Sequence, residues 1–281
     1  MSAHATSMRD ALYEAPGPKT RRRTAIGTVV SLVLLAVGIF FAIRQFYITD
    51  QLNERYWSFL LEWTTWRFLL EGLWGTIQVA IVSGIISMLL GLLLMLGRIG
   101  HNKVLSVICR VLTDLFRSLP SLLLIYFFFL VIPKYGIRMP SFWMLTIPIS
   151  LAASGVLAEV FRAGVSAVPK GQTEAAMSIG LTHGKIVRKI ILPQALRIVI
   201  PSLVSQLVVV VKDTTVAYVV SFPDLMQNAR VLISNYDALV SMYFVVAIIY
   251  ILINYAINQL SIYLAHRSGN KIVTRASENP L

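Results

Sequence analysis

Charged residues are scarce in this chain: Asp, Glu, Lys and Arg make up 14% of its 281 residues, against about a quarter in a soluble domain. That shortage, with 57% hydrophobic residues and a mean hydropathy of +0.73, excludes an ordinary soluble enzyme and indicates a polytopic membrane protein. Cysteine is nearly absent. The single Cys109 rules out internal disulfides and cysteine-based metal clusters, and its place early in an apolar run makes it an inert filler. No GxxxxGK[ST] phosphate loop, HExxH pair or paired-cysteine site occurs, so the chain carries no P-loop ATPase of its own and no recognisable metal site. No nucleophile–base constellation is visible either, which ranks a membrane-embedded hydrolase last. The net charge of +12 is not a nucleic-acid signal, because the basic residues fall between apolar runs rather than along one face.

What the chain does have is a series of apolar runs at residues 24–43, 73–96, 104–132, 142–160, 198–220 and 241–264. Each is close to or above the roughly 20 residues that cross a bilayer. They predict an all-α protein with six transmembrane helices. Residues 1–23, with Pro16, Gly17 and Pro18, read as a disordered tail. Residues 24–45 read as a first span and not a cleaved signal peptide, because the polar leader is long and no small-x-small site closes the run. In residues 46–67, Tyr56, Phe59, Leu60, Trp63 and Trp66 recur at helical spacing. That pattern predicts either an amphipathic helix at the outer interface or a connector with an apolar face. Residues 68–265 form the main transmembrane domain, and 266–281 a second tail.

Lys and Arg set the orientation. Lys19, Arg21, Arg22, Arg23, Arg98, Lys103, Arg110, Lys170, Lys185, Arg188, Lys189, Arg267, Lys271 and Arg275 share one side, and far fewer oppose them, chiefly Arg44, Arg55, Arg67, Lys134 and Arg138. Both termini are therefore expected in the cytoplasm. Trp57, Trp63, Trp66, Trp74 and Trp143 then fall at the outer boundary, as an aromatic belt should.

A polar, basic island at residues 169–197 interrupts the apolar pattern. Thr173 is placed to cap a short helix with Glu174 in its first turn, followed by the good helix formers Ala175, Ala176 and Met177. Gly180 supplies a turn, because it tolerates a positive φ. A second piece starts at Thr182 and His183, with Ile186, Ile190 and Ile191 on one side and Lys185, Arg188 and Lys189 on the other. Pro193 is expected to interrupt it. Such an element either joins two spans or sits in a groove of a partner protein.

Inside the spans, Lys212-Asp213-Thr214-Thr215 is the main anomaly. A charge at a helix centre costs about 2.5–3.5 kcal/mol on insertion scales, so neither side chain should face lipid. The four residues either line a water-filled substrate path or orient helices by pairing within the bundle. A direct Lys212–Asp213 pair is poor geometry, since neighbours on a helix point roughly 100° apart. Pro201, Ser205-Gln206 and Pro223 suggest breaks in this span, as around transporter sites. Arg117 either snorkels to the cytoplasmic surface or acts as a gate. Glu159 and Arg162, three apart, form an intrahelical ion pair or contact the island. Asn254 and Asn258 are expected to bond to neighbouring helices.

The order Glu174-Ala175-Ala176, Gly180, Ile191-Leu192-Pro193 resembles the EAA loop of permease subunits of bacterial ATP-binding-cassette importers. Glu159 and Arg162 in AEVFRAG, Gly171-Gln172, Pro193-Gln194-Ala195-Leu196-Arg197, Lys212-Asp213-Thr214-Thr215 and Pro223-Asp224-Leu225 are similar to the polar amino-acid permeases of that superfamily. The extra first span and basic tails look most like actinobacterial glutamate-uptake permeases. The resemblance implies a transport subunit in the bacterial cytoplasmic membrane that is not itself an enzyme and binds no cofactor, with ATP and Mg held by two partner ATPase subunits. It also implies an extracytoplasmic amino-acid-binding protein and a second permease copy, identical or homologous, because no duplicated half is visible in this chain. Glutamate is the first substrate it suggests, with glutamine, aspartate or a basic amino acid behind. An ATP-independent channel or ion-coupled carrier is the alternative; it would need ion sites in the spans and no docking island.

Overall fold

The computed structural model describes residues 17–267. Residues 1–16 and 268–281, which hold most of the two expected tails together with Lys271 and Arg275, lie outside the described residues. The chain divides into two units, Met1–Trp57 and Ser58–Leu281.

In the first unit, α1 (Pro18–Ile48) opens on proline, whose fixed φ and missing N–H suit a first helical turn. The helix therefore starts six residues before the apolar run, and residues 18–23 are helical where a disordered tail was expected. None of its residues is buried. A helix apolar on all sides in this way has the surface of a membrane span. A short 3₁₀ turn, Glu54–Tyr56, follows, capped by the Asn53 side chain accepting from the Arg55 N–H at 3.1 Å.

The second unit begins with another 3₁₀ turn, Ser58–Leu61, and continues into α2 (Trp63–Ile99). Of the two readings of residues 46–67, a connector with an apolar face describes the segment; no separate interfacial helix occurs there among the described residues. Its aromatic pattern is divided between 3₁₀ turns and the start of α2, and the Trp66 indole N–H donates to the Leu60 carbonyl at 2.7 Å. Next come α3 (Lys103–Ser118), α4 (Ser121–Leu130), α5 (Ser141–Ala167) and α6 (Lys170–Ser178). The chain then runs through α7 (His183–Val220), α8 (Leu225–Tyr236) and α9 (Leu239–Arg267). No strand occurs among the described residues.

Among the described residues five helices are long and apolar enough to cross a membrane, or six if a bent pair counts as one span. The third run was expected to be one span over 104–132. It is a pair, α3 and the segment Ser121–Tyr135, bent by 94°. Pro120 is the cause: the residue before a proline is pushed out of the helical region, and Leu119 is extended at φ −85°, ψ 127°.

Helix α5 lies at the centre and packs against α2, α3, α4 and α7. Its buried face is built largely of small residues, Ser150, Ala153, Ser154, Gly155, Ala158 and Gly164. Two of their hydroxyls return to the helix backbone, Ser150 to the Thr146 carbonyl at 2.6 Å and Ser154 to Leu151 at 2.7 Å. Small faces of this kind let helix backbones touch where lipid removes the hydrophobic drive for association. At Gly155 a Cβ would lie 2.6 Å from the Arg117 nitrogen and 2.9 Å from the Thr113 carbonyl oxygen. The last turn of α3 therefore rests directly on α5. Val79, Ile125, Leu145, Ile149 and Val210 complete the core at one end.

Helix α7 is one rod with changing geometry: an α turn (His183–Ile186), a π turn (Val187–Ile191), an α segment (Leu192–Asp213) and a 3₁₀ end (Thr214–Val220). Pro193 does not interrupt it. A proline clashes with the carbonyl four residues back, and the wider π turn immediately before it gives that carbonyl room. Pro201 is likewise absorbed within the α segment, so the span has no break there.

Beyond the α7 span, Asp224 caps α8 by accepting from the Gln227 N–H at 2.7 Å. The same corner is tied to α2 by Leu225 N–H to the Thr76 hydroxyl at 3.1 Å and by the Asn228 amide to the Phe68 carbonyl at 2.7 Å. Asp224 is fully buried and its second oxygen has no partner among the described residues. Burial pushes its carboxyl up to about 6.

Two predictions follow from this packing. Asp224 binds a proton more readily in the folded than in the unfolded chain. Its charge therefore costs nothing below about pH 4 and destabilises progressively up to about pH 6, by roughly 3 kcal/mol at most. Asp224→Asn keeps a good N-cap without the charge. Its melting temperature in detergent should change less between pH 4.5 and pH 7 than that of the wild type; equal changes would contradict the buried-carboxylate account. Gly155→Val should lower the melting temperature by an amount corresponding to about 1–3 kcal/mol, read by a thermal-unfolding scan.

Candidate functional site

Two places concentrate polar groups. The first is the basic end of the bundle, where α6 and the start of α7 form a compact hairpin. Helix α6 begins at Lys170 after Pro169, so Thr173 lies inside it and does not cap it, and Glu174 lies past the first turn. Pro169 stands at the N-cap position, with no side-chain cap bond. The helix ends as expected at Gly180, with φ +77°. The Leu181 N–H reaches the Ala176 carbonyl at 3.2 Å and the Gly180 N–H the Met177 carbonyl at 2.9 Å. This pair of bonds is a Schellman motif, which requires a left-handed residue at that position. Nothing lies within 4 Å of a Cβ built on Gly180, so backbone conformation alone demands glycine there.

The hairpin has its own small core of Val168, Ala176, Ile186, Ile191 and Ala195, with Leu181 packed on it. The Gln194 amide spans the two arms, donating to the Gln172 side chain at 3.3 Å and to the Ile190 carbonyl at 2.9 Å. Of the residues expected to form a docking element, Ala176 and Ile191 are buried in this core, Leu192 is half-buried, and Glu174, Ala175, Gly180 and Pro193 are exposed. Met177 and Ile179 are 56% and 75% exposed. Two large apolar side chains therefore project beside Glu174 from an element that is otherwise rigidly packed.

An ion triad joins the end of α2 to α5 ahead of the hairpin. Glu159 accepts from Arg162 at 2.7 Å on α5, as the spacing predicted. It also takes the Arg98 guanidinium from the end of α2. Arg98 was read as a topology marker only. The signal available was that one part-buried carboxylate stood near two arginines of the same membrane face.

The second place is the α3–α4 bend. Arg117, Ser121, Gln206 and Asp213 line a cleft of about 130 Å³, with Ala152 and Ala153 of α5 in its wall. The structure thus separates the four residues 212–215. Lys212 is exposed and forms no ion pair with Asp213. Thr214 is fully buried with its hydroxyl on the Val211 carbonyl at 2.8 Å, and Thr215 bonds to the Lys212 carbonyl at 2.7 Å. Only Asp213 of the four lines the cleft. Arg117 pairs loosely with Asp114 at 3.6 Å, both about half exposed. The Asn254 carbonyl oxygen is buried and Asn258 is exposed, and neither makes a cross-helix side-chain bond among the described residues. Among the described residues no group of three metal-ligating side chains occurs.

Comparison with known proteins fits this architecture. Residues 87–269 match the family described as "Binding-protein-dependent transport system inner membrane component". The chain belongs to that family. It is 31% identical over 239 residues to the glutamate transport system permease protein GluD of Corynebacterium glutamicum, covering 82% of this chain and 88% of that protein. It is 36% identical over 200 residues to the probable glutamine ABC transporter permease protein GlnP of Bacillus subtilis, covering 71% and 91%. The crystal structure of an amino acid ABC transporter with histidines superposes with a TM-score of 0.68 at 26% identity, over 72% of this chain and 94% of that one. The chain is a permease subunit of an amino-acid ABC importer, a multi-pass membrane protein of a transport family and not itself an enzyme.

The triad supplies a prediction for the permease. Glu159→Gln leaves two arginines without their anion, and charged hydrogen bonds of this kind contribute about 1.5–3 kcal/mol. The variant should melt at a lower temperature, and more limited proteolysis is expected within residues 169–197. A wild-type melting curve would show the triad to be dispensable.

Proposed function

We propose that the hairpin of α6 and the first turns of α7 is the handle through which a nucleotide-hydrolysing partner drives transport, with glutamate as the preferred cargo. The observation that carries this reading is the combination of a rigid hairpin, internally packed and locked by a left-handed Gly180, with the exposed apolar pair Met177 and Ile179. A mere connector has no need of a private core. Glu174, Ala175 and Ala176 shape the element, and Ile191, Leu192 and Pro193 fuse it to the rod of α7, so a push on the hairpin is delivered along a helix continuous to Val220.

In this reading two ATPase subunits hold ATP and Mg, a second permease copy completes the path, and an extracytoplasmic binding protein delivers the amino acid. A homologous partner chain is favoured over an identical one. The hairpin and both termini face the cytoplasm, which the distribution of Lys and Arg supports. Glutamate rests on the likeness to GluD, and the glutamine named for GlnP makes that amide the next candidate.

The test uses the complete transporter in liposomes. Gly180→Val forces a β-branched residue to positive φ, at a cost of about 1–3 kcal/mol, whereas Gly180→Asn tolerates that conformation. ATP-driven uptake of labelled glutamate should fall severely in the valine variant while ATP hydrolysis persists, and the asparagine variant should retain most uptake. Full coupled uptake by the valine variant would defeat the handle.

A further inference from the structure

We infer that the basic end of the seam between α2 and α7 holds an acidic phospholipid. Its phosphate lies against His101, His183 and Arg188, and one acyl chain follows an apolar groove of the same seam.

Two hollows lie along this seam. The first, of about 360 Å³, is walled by Leu96 and Ile99 at the end of α2 and by Val187 and Leu192 at the start of α7, with His183 and Arg188 on its polar side. The second, of about 560 Å³, is apolar, with Ile81, Ile85 and Leu89 of α2, Leu207 and Val211 of α7 and Ala256 of α9 in its lining. Leu89 and Leu96 are two turns apart on one face of α2, or about 10 Å at the helical rise. The apolar run of α2 ends at Leu96. The first hollow therefore sits where hydrocarbon gives way to headgroups, and the second lies at the depth of the acyl chains.

The polar side of the first hollow suits an anion. His101, from the loop between α2 and α3, stands with its ring centroid 4.5 Å from that of His183, so two elements meet there. Lys103 and Lys185 follow the two histidines by two positions, and these four side chains and Arg188 are exposed. Arg188, Lys103 and Lys185 make no ion pair among the described residues. No carboxylate occurs between residues 72 and 113 or between 175 and 212, so neither stretch supplies a counter-ion of its own. Basic pockets between spans at a membrane boundary take acidic lipid headgroups. A free phosphate would use the cations alone and gain nothing from Leu96, Ile99, Val187 and Leu192. A lipid uses both sides of the hollow and the groove beyond it.

The test titrates the purified permease–ATPase complex in detergent with dioleoyl phosphatidylglycerol or dioleoyl phosphatidylcholine and reads bound lipid by native mass spectrometry. Phosphatidylglycerol should bind saturably, one molecule per copy of this chain, about tenfold or more tighter than phosphatidylcholine, whose headgroup has no net charge. His183→Gln combined with Arg188→Gln should weaken phosphatidylglycerol by about tenfold and leave phosphatidylcholine unchanged. His101→Gln, outside the hairpin, should weaken it in the same direction, and Arg188→Lys should keep most of the affinity. Ala256→Phe narrows the groove from an exposed position. It should weaken the dioleoyl lipid by about fourfold or more, one methylene's worth of burial, and leave dihexanoyl phosphatidylglycerol, whose chains are too short to reach the groove, unchanged. Misfolding would instead weaken every lipid and lower the melting temperature of the lipid-free variants. Equal binding of the two headgroups, or basic-site variants that bind like the wild type, would overturn the assignment. Displacement of bound phosphatidylglycerol by millimolar inorganic phosphate would overturn it too, marking a site for the free anion.

Discussion

The structure depends on how closely other helices approach α5. Within a bilayer, burying leucine against leucine gains little over burying it against lipid, so helices associate through close van der Waals contact and a few polar bonds. The small face of α5 provides that contact. At Gly155 the backbone of α3 sits where any side chain would be, and α2, α4 and α7 gather round the same helix. The bend between α3 and α4 and the cleft beside it both follow from this arrangement. A larger residue at the crossing would push the last turn of α3, and Arg117 with it, off the surface it rests on.

The second organising feature is the continuity of α7. Its π turn absorbs Pro193, its α segment carries Gln206 to Asp213, and its 3₁₀ end leads into the Asp224 cap of α8. The hairpin and the cleft therefore lie on one helix, about 20 residues or 30 Å apart at the α-helical rise. A helix is stiff along its axis, and α7 links the two places directly. The Arg98–Glu159–Arg162 triad joins α2 and α5.

Much of this was legible in the chain. Apolar runs located the long helices, because backbone groups in lipid must be satisfied within a helix. Gly180 was legible because a left-handed helix end has a strong residue preference. The Glu159–Arg162 pair followed from a spacing of three. Where the reading went astray, a local rule met a tertiary compensation. Pro193 seemed a breaker, yet a π turn accommodates it. The run 104–132 is apolar throughout, yet Pro120 bends it by 94°; apolarity alone does not report direction. Thr173 had the chemistry of a cap, but the helix starts earlier, after Pro169.

The amino-acid order by itself determined that the chain is helical and membrane-spanning, where α6 stops, and which membrane face is basic, since these depend on hydropathy, local backbone preference and charge. The three-dimensional packing alone decided which polar residues meet. Lys212, Asp213, Thr214 and Thr215 are consecutive, yet rotation along the helix sends the lysine outward, turns both hydroxyls onto the backbone and leaves only the aspartate to line the cleft with Arg117, Ser121 and Gln206. Residues brought together from three separate elements carry no shared periodicity, so their meeting exists only once the backbones have closed upon α5.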